Sequence, residues 1–137
     1  MQKLNKKLEY ALMALKHFQD SEGLNEFAPM SAKHIAEITH SPYEVTARVL
    51  QILSSHGILK AEYGTQGGYR LGKDLSKVSI LDLINIIEGT ADLAKCLSSE
   101  KDCDLSKNCT IISPVQNLNK KVHNFYSSIS LKEVLHV

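Results

Sequence analysis

The sequence predicts a mainly α-helical chain with one small β-hairpin and a long helix near its C-terminal end. Three observations predict it. Apolar residues recur every three to four positions in most segments, the spacing of amphipathic helices. Glycines gather in one stretch, Gly64-Thr65-Gln66-Gly67-Gly68, between short strand-like runs. Serines stand three residues before an acid or amide at Ser41/Glu44, Ser79/Asp82, Ser113/Gln116 and Ser130/Glu133, the pattern of helix starts.

With 137 residues, the chain is long enough for one domain plus an accessory element. Its hydrophobic content of 43% and charged content of 23% are those of an ordinary globular protein. A net charge of +1 neither demands nor excludes nucleic acid. No apolar run approaches the ~20 residues that span a bilayer, and MQKLNKKLEY holds no secretory apolar stretch, so no membrane role and a cytoplasmic location are expected.

In chain order, Leu4, Leu8, Ala11, Leu12, Leu15 and Phe18 predict an amphipathic helix over about residues 4–20, followed by a linker broken by Gly23 and Pro29. Ser31 is placed to cap a short helix from Ala32 to Ile38 that buries Ile35 and Ile38. After Thr39-His40-Ser41, a capping box of Ser41, Pro42 and Glu44 opens a helix with Val45, Val49, Ile52 and Leu53 inward, ended by Gly57. Tyr43, Glu44, Thr46, Ala47, Arg48 and Gln51 are left outward. Two helices across a short turn, the second polar on its free side, have the layout of a helix-turn-helix.

Ile58–Tyr63 and Tyr69–Leu71 read as strands joined by the glycine turn. A phosphate-cradling loop would open a helix and be followed by Lys-Ser or Lys-Thr, whereas Tyr-Arg-Leu follows here. A β-hairpin wing fits better, with Arg70 or Lys60 facing phosphates. Ser79 and Asp82 then cap a helix lined by Ile80, Leu83, Ile84 and Ile87 and stopped by Gly89. Beyond residue 112, Ser113 and Gln116 form another expected capping box. Val115, Leu118, Val122, Phe125 and Ile129 step by three, four, three and four, a heptad seam. The seam suits either packing on the chain's own core or pairing of two chains, and DNA reading by paired recognition helices favours the second. Ser130 and Glu133 cap a short last helix through Leu135.

All three cysteines, Cys96, Cys103 and Cys109, lie in one polar segment at a Cys-x6-Cys-x5-Cys spacing. Exposed thiolates call for a cap. A disulfide would pair two of the three and needs an oxidising compartment, and structural zinc usually takes a tighter pair of cysteines. An iron–sulfur cluster tolerates longer loops. Spacing alone leaves cluster, zinc and unrelated cysteines open. No nucleophile–base pair, metalloprotease helix or nucleotide loop is present, so an enzyme is not expected.

The runs Leu8-Glu9-Tyr10-Ala11-Leu12, Ile35-Ala36-Glu37, His56-Gly57-Ile58-Leu59, Gly67-Gly68-Tyr69-Arg70-Leu71 and Ile87-Glu88-Gly89, with the cysteine segment, resemble the Rrf-type bacterial transcription regulators over nearly the whole chain. These include IscR-like, NsrR-like and SUF-operon members. The resemblance implies a winged helix-turn-helix over 1–90, a cluster-binding loop over 91–112, and a dimerisation helix with a short C-terminal helix over 113–137. It implies a homodimer on a double-stranded DNA operator, acting as a repressor of iron–sulfur assembly genes under control of a [2Fe-2S] or [4Fe-4S] cluster.

By the same resemblance the metal ligands are Cys96, Cys103 and Cys109. IscR-like members place a histidine three positions after the last cysteine, where Ile112 stands here. In NsrR-like members an acid just before Tyr-Ala-Leu in the first helix reaches the partner, so Glu9 is the expected fourth ligand. Expected DNA contacts are Tyr43, Thr46, Arg48 and Gln51 from the recognition helix and Gln66 and Arg70 from the wing. Some relatives carry an arginine where Tyr63 precedes the first wing glycine. A nitric-oxide-responsive repressor and a cluster-free thiol redox sensor are the alternative regulators.

Overall fold

The computed structural model describes residues 4–23, 28–89, 91–92, 108 and 110–136. Its helices are α1 (Lys6–Gly23), α2 (Ala32–Thr39), α3 (Tyr43–Ser55), α4 (Ile80–Glu88), α5 (Ile112–Ser128) and α6 (Leu131–Leu135). Strands β1 (Leu59–Glu62) and β2 (Gly68–Leu71) form the hairpin, and a 3-10 turn covers Leu75–Lys77. The arrangement is a winged helix-turn-helix with a long helix near its C-terminal end.

α1 begins where the Asn5 side-chain oxygen accepts a hydrogen bond from the Leu8 N–H at 2.9 Å. It buries Leu8, Ala11, Ala14, Leu15 and Phe18, while Leu4 lies ahead of it and is exposed. The helix runs to Gly23, through part of the stretch expected as linker. Ser31 caps α2 by accepting from His34 N–H at 3.1 Å. Ile35 and Ala36 face the core, but Ile38 is exposed. At ~100° per residue it stands about 110° from the middle of that stripe, outside the cover of neighbouring helices.

α2 ends at His40, which adopts the left-handed conformation at φ 53°. The expected Ser41 capping box does not form, because Pro42 is the N-cap of α3 and makes no side-chain cap. The Ser41 hydroxyl instead lies 2.7 Å from Thr39 Oγ1 and 2.6 Å from Thr46 Oγ1. Thr39 Oγ1 in turn donates to the Ile35 carbonyl at 2.7 Å. This chain of hydroxyls ties the end of α2 to the first turn of α3.

α3 buries Thr46, Val49, Leu50 and Leu53, a stripe at helical spacing that includes Leu50 and leaves Val45 and Ile52 partly exposed. It ends in a Schellman motif: Gly57, at φ 77°, donates to Ser54, and Ile58 donates to Leu53. The chain therefore turns directly into β1, which pairs antiparallel with β2 in the register Leu59↔Leu71 to Glu62↔Gly68. Met30 extends the hairpin through two backbone hydrogen bonds with Tyr69, at 2.9 and 2.8 Å. A Cβ on Gly68 would come 2.5 Å from the Met30 carbonyl carbon, so this junction requires glycine.

The Ser79/Asp82 capping box of α4 forms as the sequence predicts, and Gly89 ends the helix at φ 85°. Leu83 and Ile84 are buried, with Ile80 and Ile87 packed at the edge of the core. Beyond α4, Asp92 Oδ1 accepts from Asn119 Nδ2 at 3.0 Å and lies 3.3 Å from His123 Nε2, fastening the entry of the cysteine segment to α5.

α5 starts one residue before Ser113, so that serine is inside its first turn and the expected capping box is absent. None of the 17 residues of α5 is buried. Leu118 and Phe125 of the heptad stripe are 54% and 61% exposed. Ser130 caps α6 through Glu133 N–H, as its sequence suggests. Leu131 and Leu135 return to the core beside α1, and Leu131 N–H donates to the Val78 carbonyl at 2.8 Å.

Candidate nucleic-acid interface and cysteine segment

The burial of Thr46, Val49, Leu50 and Leu53 turns the opposite face of α3 outward. Glu44, Arg48, Gln51 and Ser55 occupy one exposed stripe, and Tyr43 stands 56% exposed at the helix start. Arg48 is the one cation of that stripe, and neither it nor Gln51 has a side-chain hydrogen bond among the described residues. A guanidinium on a well-packed helix suits bidentate recognition of a base edge or phosphate.

Two of the expected contacts have partners within the chain. Thr46 is 1% exposed and its hydroxyl lies 2.6 Å from that of Ser41, so it supports the turn. Its place on the inward stripe was set by the helical period of Val49, Leu50 and Leu53. Arg70 is engaged across the hairpin: its Nε and Nη2 lie 2.6 and 3.0 Å from the two Glu62 carboxylate oxygens. The pair is more than a third exposed on both sides, so water screens it. Gln66 remains exposed at the wing tip.

A groove of about 540 Å³ lies between α2 and the start of α3, lined by Lys33, Ala36, Glu37, His40, Ser41 and Tyr43. Lys33 and His40 widen the polar surface beside the recognition helix. Their common face was readable only once the left-handed turn at His40 was fixed. Tyr63 at the wing tip is 95% exposed and was singled out in the sequence only as a departure from relatives.

Cys96, Cys103 and Cys109 lie outside the described residues. Glu9 is in the first turn of α1, a third exposed, with its Oε2 3.0 Å from Lys6 Nζ. The carboxylate holds the Lys6 ammonium above its ordinary pKa, chiefly through that hydrogen bond. Glu9 thus presents its carboxylate at the surface of α1, paired with Lys6. Among the described residues no three His, Cys, Asp or Glu side chains gather as a metal site. No helix among them is long and apolar enough to cross a membrane.

Residues 4–137 match the Rrf2 family, described as "Iron-dependent Transcriptional regulator". The HTH-type transcriptional regulator IscR of Photorhabdus laumondii is 26% identical over 133 residues, covering 97% of this chain and 79% of that protein. Among solved structures, CymR, the global cysteine regulator of B. subtilis, superposes with a TM-score of 0.73 at 22% identity, covering 99% of this chain and 98% of its own. T. potens IscR superposes with a TM-score of 0.68 at 24% identity, covering 98% and 87%. These relatives are regulators rather than enzymes, and regulators of this type bind DNA. A match running from Leu4 to the last residue, on a winged helix-turn-helix with a free polar recognition face, establishes that the chain belongs to the Rrf2 family of transcriptional regulators.

Proposed function

We propose that this regulator is a cytoplasmic homodimer that represses iron–sulfur assembly genes, and that an iron–sulfur cluster on Cys96, Cys103, Cys109 and Glu9 sets its operator affinity. The observation that carries the reading is the position of the cysteine segment. It joins the DNA-reading body to α5, whose Leu118 and Phe125 stay exposed among the described residues. Three thiolates and a carboxylate are a donor set suited to cluster iron. A cluster spanning the segment and a first helix would bias how two recognition helices are spaced. Their separation decides whether both enter successive turns of one DNA face, about 34 Å apart. The family's iron-dependent description and the IscR relative support this reading.

Purification without oxygen, with absorption spectra and iron and sulfide analysis, tests the cofactor. Coloured protein with acid-labile sulfide, bleached in each of Cys96→Ala, Cys103→Ala and Cys109→Ala, is expected. Colourless zinc protein without sulfide would overturn it. A second regulator class has its own support in the likeness to CymR, a global cysteine regulator. In that case the three thiols act by reversible disulfide formation, and one of the three single variants retains the oxidative response.

A further inference from the structure

His17 of α1 and His34 in the first turn of α2 stand against each other, their ring centroids 6.3 Å apart and their planes at 69°. Neither imidazole makes a hydrogen bond or ion pair among the described residues, so each keeps a nitrogen lone pair for another partner. Both line a cavity of about 550 Å³ between α1, the start of α2 and the wing, together with Ser21, Met30, Ser31 and Gln66.

A third donor comes to the same place. Ser21 follows His17 by four residues and so shares its face of α1. The Ser21 hydroxyl donates to the Met30 sulfur at 4.0 Å, which sets the thioether beside that face. Met30 is held in turn by its two backbone hydrogen bonds with Tyr69. The cavity therefore gathers two imidazoles and a thioether from three separate positions in the chain.

This donor set selects the ion. With metal–nitrogen bonds of roughly 2 Å, two imidazoles on one ion have centroids about 5 Å apart at a tetrahedral angle and about 6.4 Å apart in line. The observed separation lies within that range, and His34 is exposed, so turning its ring brings a nitrogen toward His17 without disturbing the core. Structural zinc takes four ligands, whereas no three His, Cys, Asp or Glu side chains gather among the described residues. Copper(I) accepts fewer ligands and prefers a soft sulfur among them. We propose that His17, His34 and Met30 form a copper(I) site that ties α2, the first helix of the helix-turn-helix pair, to α1. Its ligands come from outside the cysteine segment and need no iron–sulfur cluster.

The test uses the whole chain carrying Cys96→Ser, Cys103→Ser and Cys109→Ser, so that thiolates do not compete for the metal. In anoxic titration this parent should withdraw a single copper(I) ion from a chromophoric chelator. His17→Ala and His34→Ala should each weaken that binding at least about tenfold, because changes to outer-shell partners alone cost about 10–100-fold. Met30→Leu, which conserves volume, should also weaken it. Copper(I) should raise the melting temperature of the parent but not that of His34→Ala, whose replaced side chain is exposed. No ion withdrawn by the parent, or parent affinity in any of the three variants, would overturn the proposal.

Discussion

α1 and α5 are nearly equal in length, 18 and 17 residues, and both carry apolar residues at helical spacing, yet their surroundings differ completely. α1 buries five apolar side chains among α3, α4 and α6, whereas α5 buries none. The stripe of α1 is wide and includes the small Ala11 and Ala14, which let neighbouring helices approach. That of α5 is a narrow seam of Val115, Leu118, Val122, Phe125 and Ile129, flanked by polar residues such as Asn119, Lys120 and Lys121. A two-residue-per-heptad seam suits another helix rather than a core. One helix holds the DNA-reading body together, and the other keeps part of its apolar stripe exposed among the described residues, the surface the proposed homodimer would use.

The comparison is sharpest in paired truncations. Leu15→Ala, at a fully buried position, should cost about 2–5 kcal/mol in denaturant unfolding. Phe125→Ala, at concentrations where sedimentation shows a monomer, should change stability by no more than about 0.5 kcal/mol. A cost for Phe125→Ala equal to that of Leu15→Ala would show that α5 belongs to the core. Phe125→Asp should abolish self-association while leaving helical circular dichroism intact, and an unchanged sedimentation coefficient would remove α5 from the interface.

A smaller effect is expected where the body is held by hydroxyls. Thr46→Val keeps the shape but leaves the Ser41 hydroxyl one partner short, at a cost of about 1–3 kcal/mol. Thr46→Ser should restore much of it. Equal stability of the Val variant would show the hydroxyl chain to be incidental. Smallest of all is the wing's ion pair: Arg70→Ala should change unfolding by less than about 1 kcal/mol, because both side chains are more than a third exposed. It should also leave the salt slope of DNA binding unchanged, and a shallower slope would return Arg70 to the phosphates.

Much of this was legible from residue spacing. The order of helices and hairpin, Ser31, Ser79 and Ser130 as caps, and Gly57 and Gly89 as helix ends follow from local chemistry and appear in the structure. Ser41 and Ser113 carry the same local signature and do not cap, because tertiary partners or an earlier helix start override it. Thr46 and Arg70 show the limit for the site. A residue's type announces what it could contact, but inward or outward placement within one helical turn, and a carboxylate diagonally across a hairpin, decide whether it is available. The cysteines stood out by their gathering in one polar segment, but their assignment to a cluster, like the choice of Glu9, came through family resemblance, since spacing alone did not distinguish a cluster from zinc.

The most direct measurement of the central claim is operator affinity, by fluorescence anisotropy, on one anoxic preparation before and after its cluster is removed. The account predicts a shift of about 5- to 150-fold, the usual range for coupling between two sites. The same affinity in both states, with iron and sulfide shown to have been present and then lost, would contradict it.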